Sequence, residues 1–375
     1  MHLLARPLAW AGAGLTLSAG CQYDIDKLFE HDAGGAETDG GGSPSEPPED
    51  LIDLWSDDQL SEECKACARS GCKGESDSCR GDEECLAFTT CVATAQNPAE
   101  QNSCRAQHTE WLRQDIQLRD VGGPYHTCVF QNVCPGECGS RTSQSCASAA
   151  YTWPKSSAST IWLHLQLLEG QGSRPVPGAR VRACQSENTA ECRELSDGWA
   201  ETDDKGVVDL EVSLSLGTFL GYLEVEGGDL YPSLIQFGWP VGRDMTTRVT
   251  MVSEMNATFL LKSVIPPVAT PAEVSAMRGF IQARAFSCAG VPAQDVSFQV
   301  NNGDKYTQIW YTPGALIFPD FEADGTSELG AGGLINVPVG LRTLTARYDG
   351  EVISRPPAPV RAGYMTIVFV VPGGT

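Results

Sequence analysis

The cysteines of this chain constrain its fold more than any other feature. Eleven of the fifteen cysteines lie between Cys64 and Cys146, and most are separated by three to seven residues. In an exported protein, such density predicts a framework of disulfides in a module too small to build a large hydrophobic core. Because eleven is an odd number, one of them is expected to stay free or to pair outside the module, and Cys288 is the candidate partner.

Zinc binding is the alternative interpretation of the same cysteines. Cys64-x2-Cys67 and Cys134-x3-Cys138 have the spacing of zinc ligands, but the chain has only five histidines, two of which precede the cysteine-rich segment. Polar, helix-favouring residues separate the cysteines, and cysteines three, four or seven residues apart share one face of a helix. The segment 51–150 is therefore predicted to form short helices that disulfides cross-link to one another.

Residues 1–20 have the composition of a secretory signal peptide. Arg6 supplies a positive start, no charged residue follows it through Gly20, and the apolar run is too short to span a bilayer. Leu17-Ser18-Ala19-Gly20-Cys21 resembles the lipobox of Gram-negative lipoproteins, although the aliphatic Leu17 stands one place early. The resemblance implies a lipid on the Cys21 thiol, and Gln22 in place of an aspartate implies sorting to the outer membrane, on its periplasmic face or at the cell surface. An ordinary secretory signal, with Cys21 in a disulfide, is the alternative.

Residues 21–50 are predicted to form a disordered acidic tether. They include the segments 40–44, Gly-Gly-Gly-Ser-Pro, and 47–48, Pro-Pro, and they offer a folded core almost nothing to bury. The formal net charge of the whole chain is -22, which repels a phosphate backbone and argues against a nucleic-acid partner. No later stretch is apolar for long enough to span a membrane, so the lipid is the expected membrane contact.

From residue 157 onwards the sequence alternates in the manner of β-strands. Every second residue is apolar in two segments, and Gly, Pro and Asp turns separate such segments. This pattern predicts an antiparallel sandwich with one face of each sheet in solvent. The alternating apolar residues are Ile161, Leu163, Leu165 and Leu167 in the first segment and Val208, Leu210, Val212 and Leu214 in the second.

The β-rich part contains an internal repeat. Residues 177–181 match 292–296, residues 202–206 match 326–330, and residues 217–225 match 340–348. The repeat predicts two copies of one sandwich, at 157–254 and 275–372, joined by the proline-rich residues 255–272. The predicted fold class is mainly β, with two tandem antiparallel β-sandwiches preceded by a small disulfide-rich α-helical module.

Two short motifs in the first copy encode turns. They are Pro177-Gly178-Ala179-x-Val181, where the glycine allows a bend, and Thr202-Asp203-x-x-Gly206, where the aspartate can bond nearby amides. Together they resemble the carboxypeptidase regulatory-like domain, a seven-stranded transthyretin-like sandwich; the second copy departs from the pattern at Ala293 and Ser327. The resemblance implies a non-catalytic accessory module, found beside peptidases and in bacterial surface proteins. The cysteine spacing also resembles cysteine-rich segments of large predatory deltaproteobacteria.

Two further cysteines, Cys184 and Cys192, flank a polar excursion in the first copy. They are predicted to close a hairpin loop as a disulfide, which would stabilise the fold by roughly 2 to 3 kcal/mol.

The sequence contains no recognisable catalytic motif. His-Glu-x-x-His, Gly-x-Ser-x-Gly and phosphate-loop patterns are all missing, so we expect neither an enzyme nor a cofactor. One segment has the alternating oxygen ligands of a calcium loop, but Ala331 stands where the bidentate glutamate belongs, and a plain hairpin turn is the alternative. Its candidate ligands are Asp320, Glu322, Asp324 and Glu328.

Aromatic residues in or beside the predicted loops offer a binding surface for sugars or proteins. Packing inside the sandwiches is the alternative that we favour, and Trp162 in the first strand is expected to pack. The loop aromatics are Trp199, Tyr231, Trp239, Tyr306, Trp310 and Tyr311. These observations predict a non-enzymatic, lipid-anchored envelope protein that contacts a partner protein or polysaccharide, or acts as a spacer. The alternative is an accessory subunit of an envelope peptidase or other hydrolase.

Overall fold

The computed structural model describes most of the chain from residue 49 onwards. Pro47–Thr375 forms one compact unit. The predicted signal peptide, the lipidation site Cys21 and the tether up to residue 48 lie outside the described residues. Within the described part, no helix is both long enough and apolar enough to cross a membrane. The structure describes residues 49–57, 59–95, 100–101, 104, 108, 123–134, 137–138, 153, 155–170, 174–186, 190–257, 278–288, 290, 292–313, 319–327 and 329–374.

The cysteine-rich segment forms short helices, which confirms the sequence prediction. They are α1 Glu62–Gly71, α2 Lys73–Arg80, α3 Glu83–Thr94 and α4 Gly123–Thr127, preceded by a 3-10 turn at Leu51–Leu54 and followed by a π-helical turn at Cys128–Asn132. Ser61 caps α1 by accepting a hydrogen bond from the amide of Cys64, and Asp82 caps α3 through the amide of Cys85. These caps explain why both helices begin just before a cysteine.

Five described disulfides hold this helical module together. They are Cys64–Cys138, Cys67–Cys134, Cys72–Cys128, Cys79–Cys85 and Cys91–Cys104. The first two join α1 to the segment that follows the π-helical turn, and Cys79–Cys85 joins α2 to α3. Because all four sulfurs of the two zinc-like motifs are consumed in disulfides, the zinc interpretation is wrong.

The remainder of the described chain consists of β-strands in three sheets. The strands are β1 Thr160–Glu169, β2 Arg174–Pro175, β3 Arg180–Cys184, β4 Ala200–Glu201, β5 Val207–Ser213, β6 Tyr222–Glu226, β7 Ser233–Gln236, β8 Met245–Met251, β9 Arg278–Ala285, β10 Val296–Val300, β11 Gln308–Tyr311, β12 Ala331–Pro338, β13 Gly340–Tyr348, β14 Glu351–Ser354, β15 Pro357–Val360 and β16 Met365–Val370. We refer to β1–β8 as the first repeat and to β9–β16 as the second repeat.

The two repeats share one pairing pattern. In the first repeat, β1 pairs antiparallel with β5 and parallel with β8, while β6 pairs antiparallel with β3 and β7. In the second repeat, β9 pairs antiparallel with β12 and parallel with β16, while β13 pairs antiparallel with β10 and β14. The two repeats therefore share one strand topology, but each contains a parallel pair, which departs from the predicted antiparallel sandwiches.

One eight-stranded sheet, which we call the long sheet, runs through both repeats. Its strand order is β11-β12-β9-β16-β7-β6-β3-β4, and β16 of the second repeat pairs in parallel with β7 of the first. Two four-stranded outer sheets accompany it: the first contains β1, β2, β5 and β8, and the second contains β10, β13, β14 and β15. Alternate residues of β16 belong to two cores, with Ile367 in one and Val368 in the other. The outer sheets therefore pack on opposite faces of the long sheet.

The turn motif makes the same hydrogen bonds in both repeats. Thr202 Oγ1 donates to the carbonyl of Val176 at 2.6 Å and accepts from the amide of Ala179 at 2.9 Å. Thr326 Oγ1 donates to the carbonyl of Ala293 at 2.6 Å and accepts from the amide of Val296 at 3.0 Å. Each threonine thus ties the turn before one strand to the start of another.

These bonds correct the sequence alignment of the repeats by two residues. They make Ala179 equivalent to Val296, so that Gly178, with φ 70°, is equivalent to Asp295, with φ 59°. The matches of 177–181 with 292–296 and of 217–225 with 340–348 are therefore wrong. The sequence alignment followed the prolines, whereas the shared bend is defined by the residue in the left-handed conformation.

The helical module contacts both repeats through two adjacent residues. Glu100 forms an ion pair with Arg243, between β7 and β8. Gln101, which is buried, donates from Nε2 to the carbonyl oxygen of Cys288 at 3.2 Å, just after β9. Cys288 is itself disulfide-bonded, and its partner lies outside the described residues. The helical module therefore contacts the first repeat just before β8 and the second repeat just after β9.

Candidate functional site

A polar cluster occupies the face of β3 and β6 that points away from the first outer sheet. The two strands alternate apolar and charged residues, and Val181 and Val225 face the core. In the antiparallel register, Arg180 lies opposite Glu226 and Arg182 lies opposite Glu224. Opposite charges therefore meet directly across the strands. We call this surface the Arg/Glu face.

Glu224 is the centre of the Arg/Glu face. The residue is only 1% exposed, and its Oε2 accepts hydrogen bonds from Nε and Nη2 of Arg182 at 3.0 and 2.9 Å. Its Oε1 accepts a hydrogen bond from Nη1 of Arg361. Because Arg361 lies between β15 and β16, the second guanidinium comes from the other repeat. A buried carboxylate held by two arginines therefore links the two repeats.

Two tyrosines extend this contact between the repeats. Arg361 Nη2 donates to the hydroxyl of Tyr222 at 2.9 Å, and the hydroxyl of Tyr364 donates to Glu226 Oε1 at 2.6 Å. Burial raises the pKa of Tyr222. Burial, and then the neighbouring carboxylate of Glu226, raises the pKa of Tyr364 well above its usual range. Both phenols therefore remain protonated at neutral pH, and Tyr364 keeps its role as a donor.

Trp199 lies over the two arginines of β3. The guanidinium carbons of Arg180 and Arg182 are 5.0 and 4.2 Å from its ring centroid, a cation–π geometry. Arg182 Nη1 also donates to Glu194 at 2.8 Å. A disulfide between Cys184 and Cys192, with Cα atoms 5.0 Å apart, closes the loop that leads to these residues. The sequence spacing indicated the same pair.

The other loop aromatics largely follow the packing alternative. Trp239, Tyr231, Trp310 and Tyr311 are buried, whereas Tyr306 is half-buried beside Arg278. Trp162 was expected to pack inside the sandwich, but it is 43% exposed, so that expectation is wrong. The alternation of β1 turns its side chain towards the solvent face of the first outer sheet. Trp199 and Trp162 therefore carry most of the accessible indole surface that the sequence analysis considered.

The calcium candidate forms a turn. Asp320 Oδ1 accepts hydrogen bonds from the amides of Glu322 at 2.8 Å and Ala323 at 3.2 Å, so this carboxylate already closes an Asx turn. Glu322 and Asp324 are exposed, and Glu328 lies outside the described residues. Where the chain is described, the only metal-like grouping is Cys184, Cys192 and Glu224. The two sulfurs of that group are bonded to each other, so neither can act as a thiolate ligand.

The three described histidines contact acidic or aromatic side chains of the folded protein. His164 Nδ1 lies 2.6 Å from Asp209 Oδ1 across two exposed strand positions, and His108 Nδ1 lies 3.1 Å from Glu84. His126 is 1% exposed and packs within the aromatic core of the helical module. The hydroxyl of Thr89, 3.5 Å from His126 Nε2, is equally buried, so no substrate can reach it.

Sequence reasoning missed the Arg/Glu face. Its signal was present in two segments, Arg180-x-Arg182 and Glu224-x-Glu226. In each segment charged residues alternate with an apolar one, and the two segments carry opposite charges. The contribution of Arg361 carried no such signal, because it lies 137 residues from Glu224 in the chain.

Comparison with known proteins does not place this chain in a family. No family model and no curated protein matches it. The Bacillus anthracis TIE protein is 11% identical over 58% of this chain and 34% of its own length, with a TM-score of 0.19. The shaft pilin SpaA of Lactobacillus rhamnosus GG is 10% identical over 58% of this chain and 99% of its own, with a TM-score of 0.19. The 3-chlorocatechol 1,2-dioxygenase of Rhodococcus opacus is 11% identical over 28% of this chain and 66% of its own length, also with a TM-score of 0.19. The chain thus spans about a third of the TIE protein. TM-scores this low establish no common fold, so function must be argued from the residues of this chain.

Proposed function

We propose that this protein is an exported, lipid-anchored component of a bacterial cell envelope, with a non-enzymatic structural role. The observation that carries the proposal is the state of its cysteines. All thirteen cysteines in the described part are disulfide-bonded. Disulfides of this number persist in oxidising compartments and are rare in the cytosol, which supports export.

The architecture supports a structural role. The long sheet passes without interruption from one repeat to the other, and Glu224 is held by arginines from both. Such a body resists bending at the junction, as a spacer between a lipid anchor and the exterior must. In the part of the chain that the structure describes, the hydroxyl that lies beside an imidazole, that of Thr89, is buried, which supports a non-enzymatic role.

The lipid anchor can be tested by expressing the full chain in a Gram-negative host. The wild-type protein is expected in the outer-membrane fraction and to require detergent for release. Cys21→Ser is expected to release the protein into the soluble periplasm, because the lipid is the proposed anchor. Gln22→Asp serves as the matched variant and is expected to shift the protein to the inner membrane. Unchanged fractionation of Cys21→Ser would show that the lipid-anchor proposal is wrong.

Binding of an envelope polysaccharide or partner protein is the second candidate function. Trp199 favours it, because this half-buried indole packs against two guanidiniums, and one of them, that of Arg182, also pairs with Glu194. The oxidised full chain should be retained by immobilised envelope polysaccharide or protein, and Trp199→Ala should lose that retention. Tyr306→Ala, at a half-buried aromatic beside Arg278, is the control. Equal retention of all three proteins would exclude Trp199 as the contact.

A further inference from the structure

The turn between β5 and β6 holds a leucine in a backbone conformation that leucine disfavours. The amide of Ser215 donates to the carbonyl of Thr218 at 3.0 Å, and the amide of Thr218 donates to the carbonyl of Ser215 at 3.1 Å. The two residues between them, Leu216 and Gly217, have φ 55° and 78°. Positive φ at both central residues is the requirement of a type I′ hairpin turn, for which asparagine followed by glycine is the favoured sequence. Leucine in this left-handed conformation costs free energy that asparagine largely avoids.

Packing within the protein does not explain the leucine in this turn. Leu216 is 90% exposed, and Leu220, four residues later, is 52% exposed. Phe219 beside Leu220 is buried in the core of the first repeat. We call residues 215–220 the leucine tip, since one buried ring anchors a turn that presents two leucines to the exterior. Residues that break a local conformational rule without a gain in packing are typical of functional positions.

The chain around the leucine tip is uncharged. No charged residue lies between Glu211 and Glu224, and the segments 156–162 and 230–242 contain none either. Both segments hydrogen-bond to the leucine tip through their backbones. This neutral end belongs to a chain whose formal net charge is -22. These three segments can therefore approach an apolar phase without removing a charge from water.

The leucine tip lies at the end of the folded body that the helical module contacts. Phe219 and Val241 exchange backbone hydrogen bonds of 2.7 and 3.1 Å. Arg243, two residues further on, forms the ion pair with Glu100 of the helical module. The predicted tether precedes that module in the sequence. The chain that would carry the proposed lipid therefore enters the folded body through the module that contacts this end.

We propose that the leucine tip inserts into the surface of a lipid bilayer and holds this end of the protein against the membrane. The inference rests on the proposed lipid anchor, because two leucines alone bind a bilayer weakly, whereas an anchor on the same chain raises the local concentration of lipid. Zwitterionic lipid is the expected partner, since anionic head groups repel a net charge of -22. A pocket on a partner protein is less favoured, because a convex tip of two side chains offers too little area for a stable protein interface.

The test uses the full, oxidised Cys21→Ser chain, so that binding through the leucine tip is measured without the lipid. Its partition onto vesicles of phosphatidylethanolamine and phosphatidylcholine, measured by flotation at millimolar lipid, should fall about 10-fold in Leu216→Asn, because the burial of one leucine is lost. The same variant should melt at a higher temperature than its parent, because asparagine suits the turn. Damage to the fold would instead lower the melting temperature.

Met255 provides the matched control. It is 76% exposed and lies beyond the opposite end of β8 from Arg243. Met255→Asn removes an equally accessible apolar side chain and should partition onto the vesicles as its parent does.

Three outcomes would overturn the proposal. The parent chain and Leu216→Asn could partition equally, Met255→Asn could lose as much binding as Leu216→Asn, or the parent chain could fail to bind the vesicles. In the last case a pocket on a partner protein becomes the remaining interpretation of the leucine tip. None of these results depends on a lipid at Cys21, so the fractionation test of the anchor succeeds or fails separately.

Discussion

Burying the charged carboxylate of Glu224 costs free energy, and hydrogen bonds from Arg182 and Arg361 offset that cost. Replacing Glu224 with glutamine removes the buried negative charge that the guanidiniums of Arg182 and Arg361 share, in a region where water cannot fully replace it. We expect Glu224→Gln to lower the free energy of unfolding by about 3 kcal/mol, measured by urea denaturation with the disulfides intact.

Glu194 provides the control for this substitution. It pairs with the same Arg182, but its side chain is 42% exposed. Glu194→Gln should therefore cost less than about 1 kcal/mol. Equal losses for the two variants would mean that burial does not distinguish the two carboxylates.

Asp304 makes the second repeat sensitive to acid. Its hydrogen bond with Arg278, followed by the amides of Tyr306 and Thr307, lowers the pKa of its carboxyl from 3.8 to about 2. A lowered pKa stabilises the folded state above pH 3.8, and that contribution disappears as the pH falls towards 2. Asp304→Asn should therefore be less stable than the wild type at pH 6, with the difference shrinking between pH 4 and pH 2. A difference that stays constant over urea titrations at these pH values would contradict this.

At the scale of elements, the turn before β5 is fixed by one glycine. Gly206 has φ 72°, and a Cβ there would lie 2.5 Å from the carbonyl oxygen of Leu167. Gly206→Ala should lower the free energy of unfolding by about 2 to 4 kcal/mol, because it adds a clash to the cost of the left-handed conformation. Gly170, with φ 68° and no atom within 4 Å of its Cβ position, is the control. Gly170→Ala should cost only about 1 kcal/mol, and thermal melts of both variants measure the difference.

Elements that depend on local spacing could be predicted from the sequence, and pairings between distant strands could not. The alternation in β1 and β5 and the turn at Thr202 follow from neighbouring residues, and the structure confirms both predictions. The pairing of β7 with β16 had no local signal, because both strands are short and are buried on both faces, so their sequences show no alternation. The contribution of Arg361 to the Arg/Glu face was missed for the same reason, since Arg361 reaches that face from a distant part of the chain.

At the scale of the whole molecule, the disulfide of Cys288 determines what the helical module is fixed to. Ten of the eleven cysteines in the module pair among themselves, which leaves Cys146, and Cys288 is bonded to a cysteine outside the described residues. We predict a Cys146–Cys288 disulfide that fixes the module to the second repeat. Peptide mapping without reduction should recover the two cysteines in one linked fragment. Recovery of Cys288 linked to Cys21, or as a free thiol, would contradict the prediction.

The parallel pairing of β7 with β16 has a consequence for the order of events during export. A chain that emerges amino terminus first completes the first repeat while its β7 edge still lacks a partner, since the strand that covers it follows more than a hundred residues later. Contacts between such distant residues form slowly. For that interval, Leu234 and Ile235 lie beside an open hydrogen-bonding edge, which is where an incompletely synthesised or truncated chain would aggregate. The exposure ends only when Ile367 and Val368 reach the edge, so the arrival of the last strand should determine when the protein becomes soluble.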